Sequence, residues 1–135
     1  MEPMEKIQQT AALTAKNHGL KLVVLFGSTA DGTARPDSDV DIAVKFRNSG
    51  YSYSELACIA DELAQPFDGR EIDISAINHA DPLFMKQISE NCSCLFEEPG
   101  EFDAFMLLAF KQYQDHRRFL ELEREYVINY AKKVA

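Results

Sequence analysis

Residues 20–26, LKLVVLF, run into Gly27-Ser28, and residues 40–46, VDIAVKF, follow after a polar loop. The first segment is β-branched and aromatic, and it is too short and too apolar for a surface helix. It is therefore predicted to be a buried central strand that ends at Gly27. The second alternates strictly, with Val40, Ile42, Val44 and Phe46 on one face and Asp41, Ala43 and Lys45 on the other. Successive strand residues point to opposite faces, so this is a half-buried strand with an acid on its outer side.

The remaining elements follow from local pattern. Residues 4–17 form a first helix, with Ile7, Ala11, Leu13 and Ala15 apolar and His18-Gly19 as the stop. Residues 53–65 carry Leu56, Ile59, Ala60 and Leu63 at helical spacing, and PFDG closes them. REIDISAI, 70–77, alternates again, with Ile72, Ile74 and Ala76 inward and Glu71, Asp73 and Ser75 outward. Asp81 is the N-cap of a helix with Pro82 at its first position, and CLFEE is a short fourth strand or an extension. From Pro99 or Gly100 onward no breaker occurs, so a last helix of about 30 residues is predicted. At about 1.5 Å per residue it would be roughly 45 Å long, against about 30 Å for a domain of this size, so part of it should project. The order of elements gives an α+β (mixed α/β) fold: a small mixed sheet with helices packed on one face, the other face carrying the acids and open. A single domain over 1–135 is expected, with its core near 20–77 and the terminal helix near 100–134.

Composition removes several function classes. The chain has 22 acidic and 14 basic residues, a net charge of −8, and so lacks the positive field that sequence-independent nucleic-acid binding requires. No run approaches the ~18 apolar residues of a membrane span, and MEPMEKIQQT does not read as a signal peptide, so a cytoplasmic location is expected. Cys58, Cys92 and Cys94 lack the spacing of a zinc site and read as reduced thiols. His18, His79 and His116 are likewise not at metal-ligand spacing.

The chemistry concentrates in FGSTADGTARPDSDVDIAV, 26–44. Asp39 and Asp41 lie two apart and present carboxylates on one face, about 7 Å apart at the backbone. If the strand bearing Asp73 is a neighbour, about 4.8 Å away, three carboxylates meet. Such a cluster repels itself unless a cation compensates, and oxygen ligands with open positions favour Mg²⁺ bridging to phosphates. Gly27-Ser28 ends a strand and could open a short helix, whose free N–H groups attract phosphate oxygens. STAD also has capping-box spacing, so Ser28 read alone is first a structural cap. A calcium loop starting at Asp37 fails, because Ile42 stands where glycine is needed and Asn48 where glutamate is needed. Asp37 reads as turn chemistry.

Gly27-Ser28, ten residues, then Asp39-Val40-Asp41, with Asp73 as a third acid, resembles the signature of the polymerase β-like nucleotidyltransferase superfamily. In length the chain is similar to the minimal members, the MNT proteins, and most of all to the MntA antitoxins of HEPN/MNT toxin-antitoxin pairs. The resemblance implies a polymerase β-like core, with ATP as substrate and two Mg²⁺ ions held by Asp39, Asp41 and Asp73. It assigns catalysis to the same three acids and binding of the triphosphate to Gly27 and Ser28. It further implies a protein adenylyltransferase that transfers AMP to a tyrosine hydroxyl of a HepT-like HEPN ribonuclease toxin and neutralises it. Two alternatives stand beside this: a non-catalytic antitoxin that neutralises by occlusion, and a nucleotidyltransferase acting on a small molecule such as an aminoglycoside. Arg35 and Lys45 could contact phosphate but read first as solvated surface. The aromatic residues of the last helix, from Phe102 to Tyr130, suggest a partner contact.

Overall fold

The computed structural model describes residues 3–32, 35 and 38–134. The reading of Asp37 as turn chemistry falls outside them. Nine main elements run α1 (Met4–His18), β1 (Leu20–Phe26), α2 (Ser28–Asp31), β2 (Val40–Phe46), α3 (Tyr53–Ala64), β3 (Ile72–Ala76), α4 (Pro82–Glu90), β4 (Cys92–Glu97) and α5 (Glu101–Val134). Single 3-10 turns follow α3 and β3.

The four strands make one mixed sheet in the order β3-β2-β1-β4. β1 pairs antiparallel with both β2 and β4, while β2 and β3 are parallel with α3 as their crossover. Among the residues of β1 only Lys21 is not fully buried, as its uninterrupted apolar run requires of a strand paired on both edges. Sequence signals hold at the helix ends as well. Ser52 caps α3 by accepting from the Glu55 N–H at 3.1 Å, and Asp81 caps α4 by accepting from the Phe84 N–H at 2.8 Å.

The small mixed sheet and the long last helix are as expected, and the distribution of helices adds detail. α1 and α3 cover one face through Ile7, Ala11, Ala15, Ile59 and Leu63, which pack on Val23, Leu25, Ile42 and Val44. The opposite face is open only in part. Met85 and Ile88 of α4 and Phe105 and Ala109 of α5 pack there against Leu22, Val24 and Phe26. The outward side chains of β2 and β3 near Asp41 and Asp73 therefore face a cleft walled by α4. On α1 the buried stripe is Ile7, Ala11, Thr14 and Ala15, and Leu13 is 62% exposed. Six residues at about 100° each carry position 13 to the far side from position 7, whereas position 14 returns to it.

α5 spans 34 residues, roughly 51 Å, yet only Phe105 and Ala109 on it are buried. Beyond His116 every described side chain is exposed. No described helix is long and apolar enough to cross a membrane.

Candidate active site

The register of the sheet assembles the site. In β1/β2 pairing Phe26 stands opposite Asp41, so the turn at Gly27 begins beside that carboxylate. In β2/β3 pairing Asp41 stands opposite Asp73, and in a parallel pair the two side chains share a face. The conditional step in the sequence argument, that the strand of Asp73 neighbours that of Asp41, is therefore met.

Gly27 has φ 74° and ψ −153°, a region that is essentially glycine's alone. A Cβ at this position would collide with the Asp41 carboxylate and lie 3.2 Å from its Cγ. The missing side chain thus lets backbone and carboxylate approach. Gly27 is also the N-cap of α2, and it makes no side-chain cap bond. Ser28 is the first helical residue rather than the cap, so the capping-box reading of STAD does not describe this turn.

Gly27, Ser28, Asp41 and Asp73 line one cleft of about 320 Å³. Its other lining residues are Phe26 and Ser75 from the sheet, and Phe84, Gln87, Glu90 and Asn91 from α4 and its end. Asp39 is not among them. It lies one residue before β2 and is exposed, though close enough for its charge to act on Asp41. Among the described residues no three His, Cys, Asp or Glu side chains converge tightly enough to cage an ion. What the fold brings together is the Asp41–Asp73 pair at the Gly27 turn, with Asp39 at its rim.

The electrostatics of this pair are those of an uncompensated anionic site. The Asp41 carboxyl is held above its ordinary value, first by burial, then by the charge of Asp73 and a side-chain hydrogen bond with it, and last by the charge of Asp39. Every one of these influences raises it. Hard oxygen donors that repel one another beside a bare glycine turn fit a divalent cation shared with phosphate oxygens.

Other candidates lie elsewhere. Lys45 is 3.4 Å from Glu101 at the start of α5, and Arg35 is exposed. His18 lies 3.1 Å from Glu62. All three cysteines are free thiols, with Cys94 pushed up to about 11 by burial and by neighbouring Glu97. Sequence reasoning did not place α4 in the cleft wall. Ser75 was within its reach, because it shares the outward face of β3 with Asp73.

Comparison with known proteins agrees with this architecture. The family described as "Polymerase beta, Nucleotidyltransferase" matches residues 5–101, which include the Gly27-Ser28 turn and all three acids. The chain belongs to that family and is a nucleotidyltransferase. Within it, the chain is 30% identical over 123 residues to the protein adenylyltransferase MntA of Aphanizomenon flos-aquae, covering 84% of this chain and 82% of that one. A structure described as a toxin-antitoxin with AMP-PNP matches with a TM-score of 0.70 at 23% identity, covering 90% of this chain and 95% of that chain. Another, of tri-AMPylated Shewanella oneidensis HEPN toxin in complex with MNT antitoxin, matches at 0.66 and 20% identity, covering 94% and 97%. At these identities the two structures establish the shared fold.

Proposed function

We propose that this chain is an antitoxin that works as a protein adenylyltransferase, moving AMP from ATP to a tyrosine hydroxyl of a HEPN-family ribonuclease toxin. The observation that carries the proposal is the juxtaposition of the Gly27 turn with the Asp41–Asp73 pair in one cleft. The relative named protein adenylyltransferase MntA supports the choice of reaction, and the toxin-antitoxin structures support the choice of partner.

Asp39, Asp41 and Asp73 are the residues that would hold magnesium. When bound, two such ions supply Lewis-acid stabilisation of the attacking and leaving oxygens in an in-line displacement. The chain's own residues do the rest. The backbone of Gly27 and the Ser28 hydroxyl hold the triphosphate, and the bare Cα of Gly27 lets phosphate oxygens approach beside Asp41. Asp73 takes the proton of the acceptor hydroxyl. The tyrosine oxygen bonds to the α-phosphorus as the bond to the β-phosphate bridge breaks, and pyrophosphate leaves. Holding acceptor and phosphorus in line accounts for much of the rate, because positioning can lower a barrier by about 7–11 kcal/mol. The AMP adds bulk and negative charge on a protein whose own substrate is anionic RNA, which accounts for neutralisation. A cytoplasmic location follows from a nucleotide substrate and free thiols.

The alternative of neutralisation by occlusion draws on α5, whose exposed Phe119, Leu120, Tyr126 and Tyr130 offer a contact surface without chemistry. One experiment separates the two. The purified protein is incubated with α-labelled ATP, Mg²⁺ and the product of an adjacent HEPN-type reading frame, beside an Asp39→Asn/Asp41→Asn variant. Label should appear on the toxin and fall by at least about 100-fold in the variant, since loss of even an outer partner of a metal ligand costs about 10–100-fold. An unlabelled toxin that is still neutralised by both proteins would establish occlusion instead.

A further inference from the structure

Asp39 stands outside the hydrogen-bonded ladder, before the first residue of β2, yet both peptide groups that flank it are tied to the head of β3. On one side the Arg70 guanidinium reaches across, and Nε and Nη2 both donate to the Ser38 carbonyl oxygen at 2.9 and 2.6 Å. On the other side the Val40 N–H donates to the Glu71 carbonyl at 2.9 Å. Ser38 is fixed further by Arg35, whose N–H donates to the Ser38 Oγ at 3.0 Å. Three residues after Arg70, which lies just ahead of β3, that strand presents Asp73. A half-buried arginine in a chain with 22 acidic residues thus directs its planar fork to a backbone carbonyl. That carbonyl belongs to the residue just before Asp39.

We infer that Arg70 is a positioning residue for Asp39: by clamping the Ser38 carbonyl to the head of β3, it sets where the Asp39 carboxylate stands relative to Asp73. The inference rests on the reading of Asp39, Asp41 and Asp73 as metal ligands. It explains how an exposed acid on a loop can serve a site whose other two acids are set by strand register. Lysine cannot replace the clamp, because it keeps the charge but lacks the two coplanar donors.

The test is Mn²⁺ binding to the full chain, read from the electron paramagnetic resonance of free Mn²⁺, with the Tm in EDTA measured beside it. Arg70→Lys and Arg70→Gln should each weaken Mn²⁺ binding by about 10-fold or more, as outer-shell partners of metal ligands do. The Tm in EDTA should move only slightly. In an Asp39→Asn background, neither substitution should cause any further loss, because the group being positioned has gone. Wild-type affinity in both variants would overturn the inference, as would an equal loss with and without Asp39. A collapse of Tm in both variants would also overturn it, by making Arg70 a structural pin. If wild-type and Asp41→Asn bind Mn²⁺ alike, the metal reading itself fails and takes this inference with it.

Discussion

Asp41 is poor for stability and, under the proposed function, needed for the chemistry. It lies on a β-alternating strand where aspartate is disfavoured, and burial, Asp73 and Asp39 all oppose its ionisation. Its folded carboxyl is therefore raised above its unfolded value, and the sign of the linkage follows. The folded state holds the proton more tightly, so this group favours folding most at acid pH and loses that contribution as pH rises through its folded value. At neutral pH without metal, its ionisation works against folding. Asp41→Asn is accordingly expected to keep or raise Tm in EDTA at pH 7, by a few degrees at most. Under the proposed function Mg²⁺ should raise the Tm of the wild-type protein, and Asp41→Asn should abolish that increment. A variant clearly less stable than wild type in EDTA would contradict the charge argument. Of the candidate site residues, Asp41 was legible because the strand period of two is local, and Gly27 because a glycine ends an apolar run; the same period put Asp39 on the strand face beside Asp41, whereas it lies just before β2, exposed and outside the cleft lining. Asp73 was legible only on condition of strand adjacency. Arg70 had no signature at all, since its partner is a backbone carbonyl 32 residues away.

Among the elements, β1 carried the strongest signal. An apolar run with one interruption requires cover on both faces, and both faces are covered. What the run could not say is which helices provide that cover, because α4 and α5 follow it by more than fifty residues in sequence. Strand boundaries shifted by one or two residues, with β3 observed at Ile72–Ala76 and β4 at Cys92–Glu97. The length of α5 was legible from the absence of breakers. Its docking was not, since Phe105 and Ala109 look no more apolar than the exposed Leu107, Phe110 and Phe119. Those buried positions define a face that 3.6-residue periodicity continues toward Val127, Tyr130 and Val134, all exposed. Truncation after Leu120 removes described side chains that are all exposed. It should change Tm by no more than about 2 °C, since surface changes rarely exceed about 0.5 kcal/mol. Under the proposed function, the same truncation should weaken capture of the co-purified HEPN toxin by at least about 10-fold, measured by titration calorimetry. Undiminished affinity would remove α5 from the docking surface.

At the scale of the whole molecule, helices and charge divide the surface into areas with different uses. α1 and α3 cover one side of the sheet, while α4 and the start of α5 leave a cleft where β2 and β3 present Asp41 and Asp73. A net charge of −8 would repel free nucleotide, so under the proposed function capture of a triphosphate would depend on local N–H groups and cations rather than on a general field. The same charge suits a partner with a basic, RNA-binding surface. The expectation that follows is that this cleft takes metal and triphosphate together. It is tested most directly by crystals of the protein grown with Mn²⁺ and a non-hydrolysable ATP analogue, with data collected for anomalous scattering. Manganese peaks are expected between Asp39, Asp41 and Asp73, and phosphate oxygens against the Gly27-Ser28 turn. Nucleotide bound elsewhere, or manganese peaks away from these acids, would contradict it.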